Sequence, residues 1–124
     1  MEIFRYGGET VSNALTAMFQ ALQMGASESD AAGEAAREVY RRQGHINRIL
    51  LSHGPGTAQR LTDNPISCYS AATPANGDIV RGWVYGAMCQ GHWLDPGRTT
   101  VIGLRPTVEQ QHLGESCANL VAEC

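Results

Sequence analysis

The stretch "GDIVRGWVYG", residues 77–86, decides the fold, because its side chains alternate in character at every step. Ile79, Arg81, Trp83 and Tyr85 fall on one side, with Val80, Gly82, Val84 and Gly86 on the other, and a period of two is the signature of a strand. One face is large and aromatic, while the other carries glycines on which a neighbouring element can pack closely. A second strand is expected at "TTVIGL", residues 99–104, with Asp95-Pro96-Gly97 supplying turn chemistry between the two. Beyond Pro106 the spacing predicts a last helix that buries Leu113, Cys117, Leu120, Val121 and Cys124.

Upstream the period changes from two to 3.6. Val11, Leu15, Met18 and Leu22 form the stripe of a helix packed on one side, with Thr10 as its cap and Gly25 as its stop. Ser27-Glu28-Ser29-Asp30 starts a second helix in which Ala32, Ala35, Ala36 and Val39 share a face as far as Gly44. Small side chains on that face allow close approach, so the two helices should form an antiparallel hairpin. Ile46, Ile49 and Leu50 then recur at helical spacing, which predicts a further short helix over 45–51.

Residues 54–75, rich in Gly, Pro, Ser, Thr and Asn, read as a connector with at most a helical turn at 57–61. The expected organisation is one domain, with a helical half at 1–53, the connector, and a mixed strand and helix half at 76–124. The expected fold class is α+β: an N-terminal helical hairpin plus a short helix, then a small antiparallel sheet with a C-terminal helix.

Composition narrows the chemistry. All nine basic residues are arginine, so a phosphate-loop lysine, a lysine Schiff base and a serine–lysine dyad are excluded. HExxH, GxSxG, GxGxxG and calcium-loop patterns are absent. The net charge of −3 hides an asymmetry: residues 37–60 hold five arginines against one glutamate, a balance of +4 against −7 elsewhere. Glu34, Arg37 and Arg41 lie opposite the alanines of the second helix, and Glu38 is spaced to pair with Arg42.

Cys89-Gln90-Gly91-His92 has knuckle-like spacing, but a structural zinc site needs four ligands. Cys117 and Cys124 lie about 10.5 Å apart along one helix axis, so they cannot both join an ion; only Cys68 with one of them would complete the set. Gly77-Asp78-Ile79-Val80, Gly91-His92-Trp93 and Ser116-Cys117-Ala118-Asn119 also occur in that order. This order resembles the permuted papain-like enzymes, including the lecithin retinol acyltransferase family. The resemblance implies Cys117 as nucleophile, activated at a helix start, and His92 as its base. The 24 residues between the two are fewer than that family would lead one to expect.

With no compelling catalytic constellation, the residues favour a small accessory or regulatory protein that binds a macromolecule without catalysis. The expected contacts are Arg37, Arg41, Arg42 and Arg48 with Trp83 and Tyr85, since arginine and large aromatics compose binding hot spots. A protein partner suits the acidic overall charge better than nucleic acid does, and a homo-oligomer is compatible with the same surface. No cofactor is expected, and neither a membrane span nor a signal segment is read in the chain. A cytoplasmic protein with free thiols follows as the expectation. The Cys117/His92 hydrolase or acyltransferase is the first alternative, and a zinc-stabilised module on Cys89 and His92 the second.

Overall fold

The computed structural model describes residues 2–57, 69–85, 87–89, 91–103 and 105–123, with backbone alone at 56 and 87–89. Helix α1 spans Glu2–Gln23 and α2 spans Glu28–Arg41. Strands β1 (Arg48–His53), β2 (Ile79–Tyr85), β3 (Ala87–Cys89), β4 (His92–Leu94) and β5 (Gly97–Val101) follow, then α3 (Val108–Ala122). The fold is α+β, with helices at both ends and a three-stranded antiparallel sheet of order β1-β2-β5. Strands β3 and β4 form a separate hairpin that packs against α1.

The helical hairpin forms as its sequence pattern predicts. Val11, Leu15, Met18 and Leu22 of α1 are buried with Ala32, Ala35 and Val39 of α2. Ser27 caps α2, its hydroxyl oxygen accepting from the Asp30 backbone N–H at 3.1 Å. Helix α1 begins well before Thr10, which is buried inside it and donates its hydroxyl to the Tyr6 carbonyl at 2.8 Å. Tertiary contacts hold these extra turns: the Phe4 ring lies 4.6 Å from the His92 ring, and the Tyr6 hydroxyl donates to the Arg42 carbonyl at 3.0 Å.

Both helices end in the same left-handed turn. After α1, Ala26 and Gly25 donate to the carbonyls of Ala21 and Leu22, with Gly25 at φ +92°. After α2, Gly44 and Gln43 donate to Val39 and Tyr40, but here the left-handed residue is Gln43, at φ 59°. A side chain at that φ is disfavoured, and the glycine stands one position too late to relieve it. Gln43→Gly should therefore raise the unfolding free energy by about 0.5–1 kcal/mol, read as a higher urea midpoint at unchanged slope.

The expected short helix over 45–51 is instead the approach to an edge strand. Ile46, Ile49 and Leu50 have helical spacing, yet Ile49 and Leu51 alternate inward and pair across from Val84 and Gly82 of β2. Long-range pairing overrides an ambiguous local period in so short a run. A 3₁₀ turn spans Gly54–Thr57, and the helical turn expected at 57–61 lies, apart from Thr57, outside the described residues.

Strand β2 is central and keeps its predicted alternation. Val80, Gly82 and Val84 are buried facing the helices, and the bare Gly82 backbone accommodates Met18 and Phe19 of α1. The last helix departs from expectation. None of its residues is buried: Leu113, Leu120 and Val121 are 55%, 64% and 77% exposed, Cys117 is exposed, and Cys124 lies outside the described residues. An apolar stripe marks a face able to pack, but burial needs a partner surface: Leu113 and Gly114 line an open recess with Ile79 and Val101, and among the described residues nothing buries the rest of the stripe.

Candidate binding face

Three strands carry side chains on the side of the sheet turned away from the α1/α2 hairpin. The register sets Arg48, Leu50 and Ser52 of β1 across from Tyr85, Trp83 and Arg81 of β2. On the other flank Ile79, Arg81 and Trp83 face Val101, Thr99 and Gly97 of β5. Cross-strand neighbours of this kind are close enough to interact as pairs. The Arg48 guanidinium lies over the Tyr85 ring, 4.6 Å from its centroid, and that of Arg81 over Trp83 at 5.3 Å. Arg81 also donates from Nη1 to the Thr57 carbonyl at 3.1 Å, which anchors it along the strand. Stacking of guanidinium on an aromatic face is worth about 0.5–1 kcal/mol where solvent reaches it and more once solvent is excluded.

The close stack depends on glycine. The Trp83 indole lies directly over Gly97, where any Cβ would overlap the ring. Two polar atoms of the face, Arg48 Nε and Ser52 Oγ, are buried without a hydrogen-bond partner. Such groups are uncommon in folded proteins, and an unsatisfied buried donor carries a desolvation penalty. Among the described residues neither arginine is ion-paired, and the two aromatic rings and one carbonyl are their partners. Next to the Tyr85 end, Asn47, Tyr85, Trp93, Leu94 and Asp95 border an open recess of about 320 Å³.

The other arginines of residues 37–48 serve different ends. Arg37 pairs with Glu34 on the solvent side of α2, and Arg41 pairs at 3.4 Å with Glu38, whose side chain is largely covered. Glu38 therefore meets Arg41 rather than Arg42, whose carbonyl is the acceptor for Tyr6. Only Arg48 comes to the aromatic face. Its closeness to Tyr85, 37 residues away in sequence, becomes visible only once the register is known.

His92 and Cys117 are not brought together: His92 meets the Phe4 ring in a tilted contact, Cys117 is an exposed free thiol on α3, and no hydrogen bond joins them. Cys89 and His92 are backbone partners across the β3–β4 hairpin, and among the described residues no cluster of three or more metal-ligating side chains is present.

One polar cluster carries no sequence signal. Glu28, 1% exposed, accepts the Ser70 backbone N–H through Oε2 at 2.7 Å, and its Oε1 lies 2.6 Å from Nδ1 of His53. A glutamate in the first turn of a helix reads as a solvated complement to the macrodipole, so nothing local marks it as buried. Nearby, Tyr69 donates to the Ile49 carbonyl at 2.6 Å, and burial pushes its phenol above the ordinary value.

The chain matches no family model and no curated protein. Among solved structures it resembles X-Pro aminopeptidase from Thermotoga maritima MSB8. The TM-score is 0.61 at 16% identity, over 90% of this chain and 31% of that one. The chain thus spans under a third of the neighbour's length, and at this identity the likeness establishes the fold alone. Among the described residues, no helix is long and apolar enough to cross a membrane.

Proposed function

We propose that this domain is a non-catalytic binding module that takes an acidic, partly apolar protein segment on the aromatic outer face of its sheet. The observation that carries the reading is the pair of stacks, Arg48 on Tyr85 and Arg81 on Trp83, in which neither cation is matched by a carboxylate among the described residues. Stacked guanidiniums are already ordered, so less side-chain entropy is lost when a partner carboxylate arrives. The aromatic rings and the half-buried Leu50 and Ile79 supply apolar area beside them. The arginines of α2 are committed to Glu34 and Glu38, which leaves them a lesser part. A free, exposed Cys117 thiol suits a reducing compartment, and the cytoplasm is the location that goes with this reading.

The test uses a synthetic amphipathic helical peptide with glutamates and leucines, and reads Trp83 fluorescence in a Trp93→Phe background. Saturable binding is expected, weakened by about tenfold or more in Arg48→Ala and Arg81→Ala. Arg37→Ala and Arg41→Ala should leave it unchanged. Absence of saturable binding would overturn the reading, and so would equal losses at Arg37 and Arg81.

A further inference from the structure

We propose that the segment docking on this face is α3 of a second copy of the same chain, so that two copies exchange their last helices reciprocally. The inference rests on the binding role assigned to the face and adds the identity of the occupant.

Helix α3 is well formed yet unaccompanied. Thr107 and Gln110 make a complete capping box, and Gln110 Nε2 donates to the Gly77 carbonyl at 2.8 Å, which ties the helix start to the sheet. Beyond that tether no residue of the helix is buried, and Leu113, Cys117, Leu120 and Val121 stand exposed at helical spacing. Four apolar side chains in line on a capped helix are the shape of a groove ligand.

Charge selects the surface that receives it. Helix α3 carries Glu109 and Glu115, with Glu123 at its C-cap, and neither lysine nor arginine. Among the described residues the outer sheet face carries Arg48 and Arg81 beside the partly exposed Leu50, Ile79, Trp83 and Tyr85, and Asp95 stands at the recess next to Tyr85. An acidic, apolar helix therefore complements a cationic, aromatic face, and both belong to one molecule. Since α3 springs from the β5 side of the same sheet, the two surfaces are neighbours. A twofold axis can then seat each helix on the other copy's face, giving a closed contact of isologous type.

Sedimentation velocity across micromolar concentrations of the full chain tests the proposal. Wild type should sediment at twice the 13.3 kDa chain mass. Leu120→Glu in the helix, and Arg81→Glu or Arg48→Glu in the face, should each weaken association by about tenfold or more with unchanged circular dichroism. An equimolar mixture of Leu120→Glu and Arg81→Glu should associate more tightly than either alone. In the mixed pair one helix-to-face contact joins two unaltered surfaces, which happens only if helix and face pair with one another. A wild type that stays monomeric would overturn the proposal, as would a mixture that fails to complement. A monomer that still binds the acidic peptide through Arg48 and Arg81 would sink the self-association alone and leave the binding role standing.

Discussion

Replacing Glu28 by alanine is expected to remove about 2–4 kcal/mol of stability, the scale of leaving buried hydrogen-bonding groups unsatisfied together with a cavity. The carboxylate lies at the start of α2 and reaches two other parts of the chain, the end of β1 through His53 and the segment before β2 through Ser70. Ser29 N–H also donates to the Ser70 carbonyl at 3.3 Å, so the two segments are clamped from both directions. Without the carboxylate, Ser70 N–H and His53 Nδ1 lose their partner in a place that water reaches poorly, and the volume of the side chain is left behind. Against a total of about 5–15 kcal/mol typical of such domains, this is enough to populate the unfolded state. Urea unfolding should show the midpoint falling sharply at constant slope. Glu34→Ala provides the contrast: its carboxylate pairs with Arg37 on the solvent side of the same helix, where pairs of this kind contribute up to about 1 kcal/mol. A Glu28 loss no larger than that of Glu34 would show that water enters the cluster freely.

Glu28 also shows where sequence reading stops. The cap at Ser27 and the alanine face of α2 were legible, because capping and helical periodicity are properties of a few adjacent residues. Strand β2 was legible for the same reason, its alternation being unbroken from Ile79 to Tyr85. What sequence could not express is which surface each face meets. Leu113, Leu120 and Val121 repeat as buried residues do, and the fold leaves them in solvent. Arg48 reads as a member of a basic run along the chain, and the β1–β2 register turns it into the neighbour of Tyr85. The run 46–50 misleads because helical and extended spacing overlap over so few residues. Its assignment is made by Val84 and Gly82 on the partner strand, not by anything within it.

Gly97→Val is expected to dismantle the binding face while leaving the helical core in place. A Cβ at position 97 would fall inside the Trp83 indole, and β-branching adds two methyl groups beyond it. Backbone pairing fixes both residues, since Trp83 and Gly97 are directly opposed in the β2–β5 register. The indole must therefore swing off its neighbour strand and away from the Arg81 guanidinium. Overpacking of this kind costs about 1–3 kcal/mol, and the loss of the stack adds about 0.5–1 kcal/mol. In a Trp93→Phe background the Trp83 emission should shift to longer wavelength as the ring becomes hydrated. Acidic-peptide binding should fall as far as it does in Arg81→Ala, although no cation has been removed. Gly82→Ala separates this from a general intolerance of side chains in the sheet. Its Cβ points to the other face and meets first the terminal methyl of Met18, a flexible group that can turn aside. That variant should lose some stability and keep both the Trp83 emission and the peptide affinity. Equal loss of affinity in the two glycine variants would mean that the sheet as a whole, and not the aromatic side of it, governs binding.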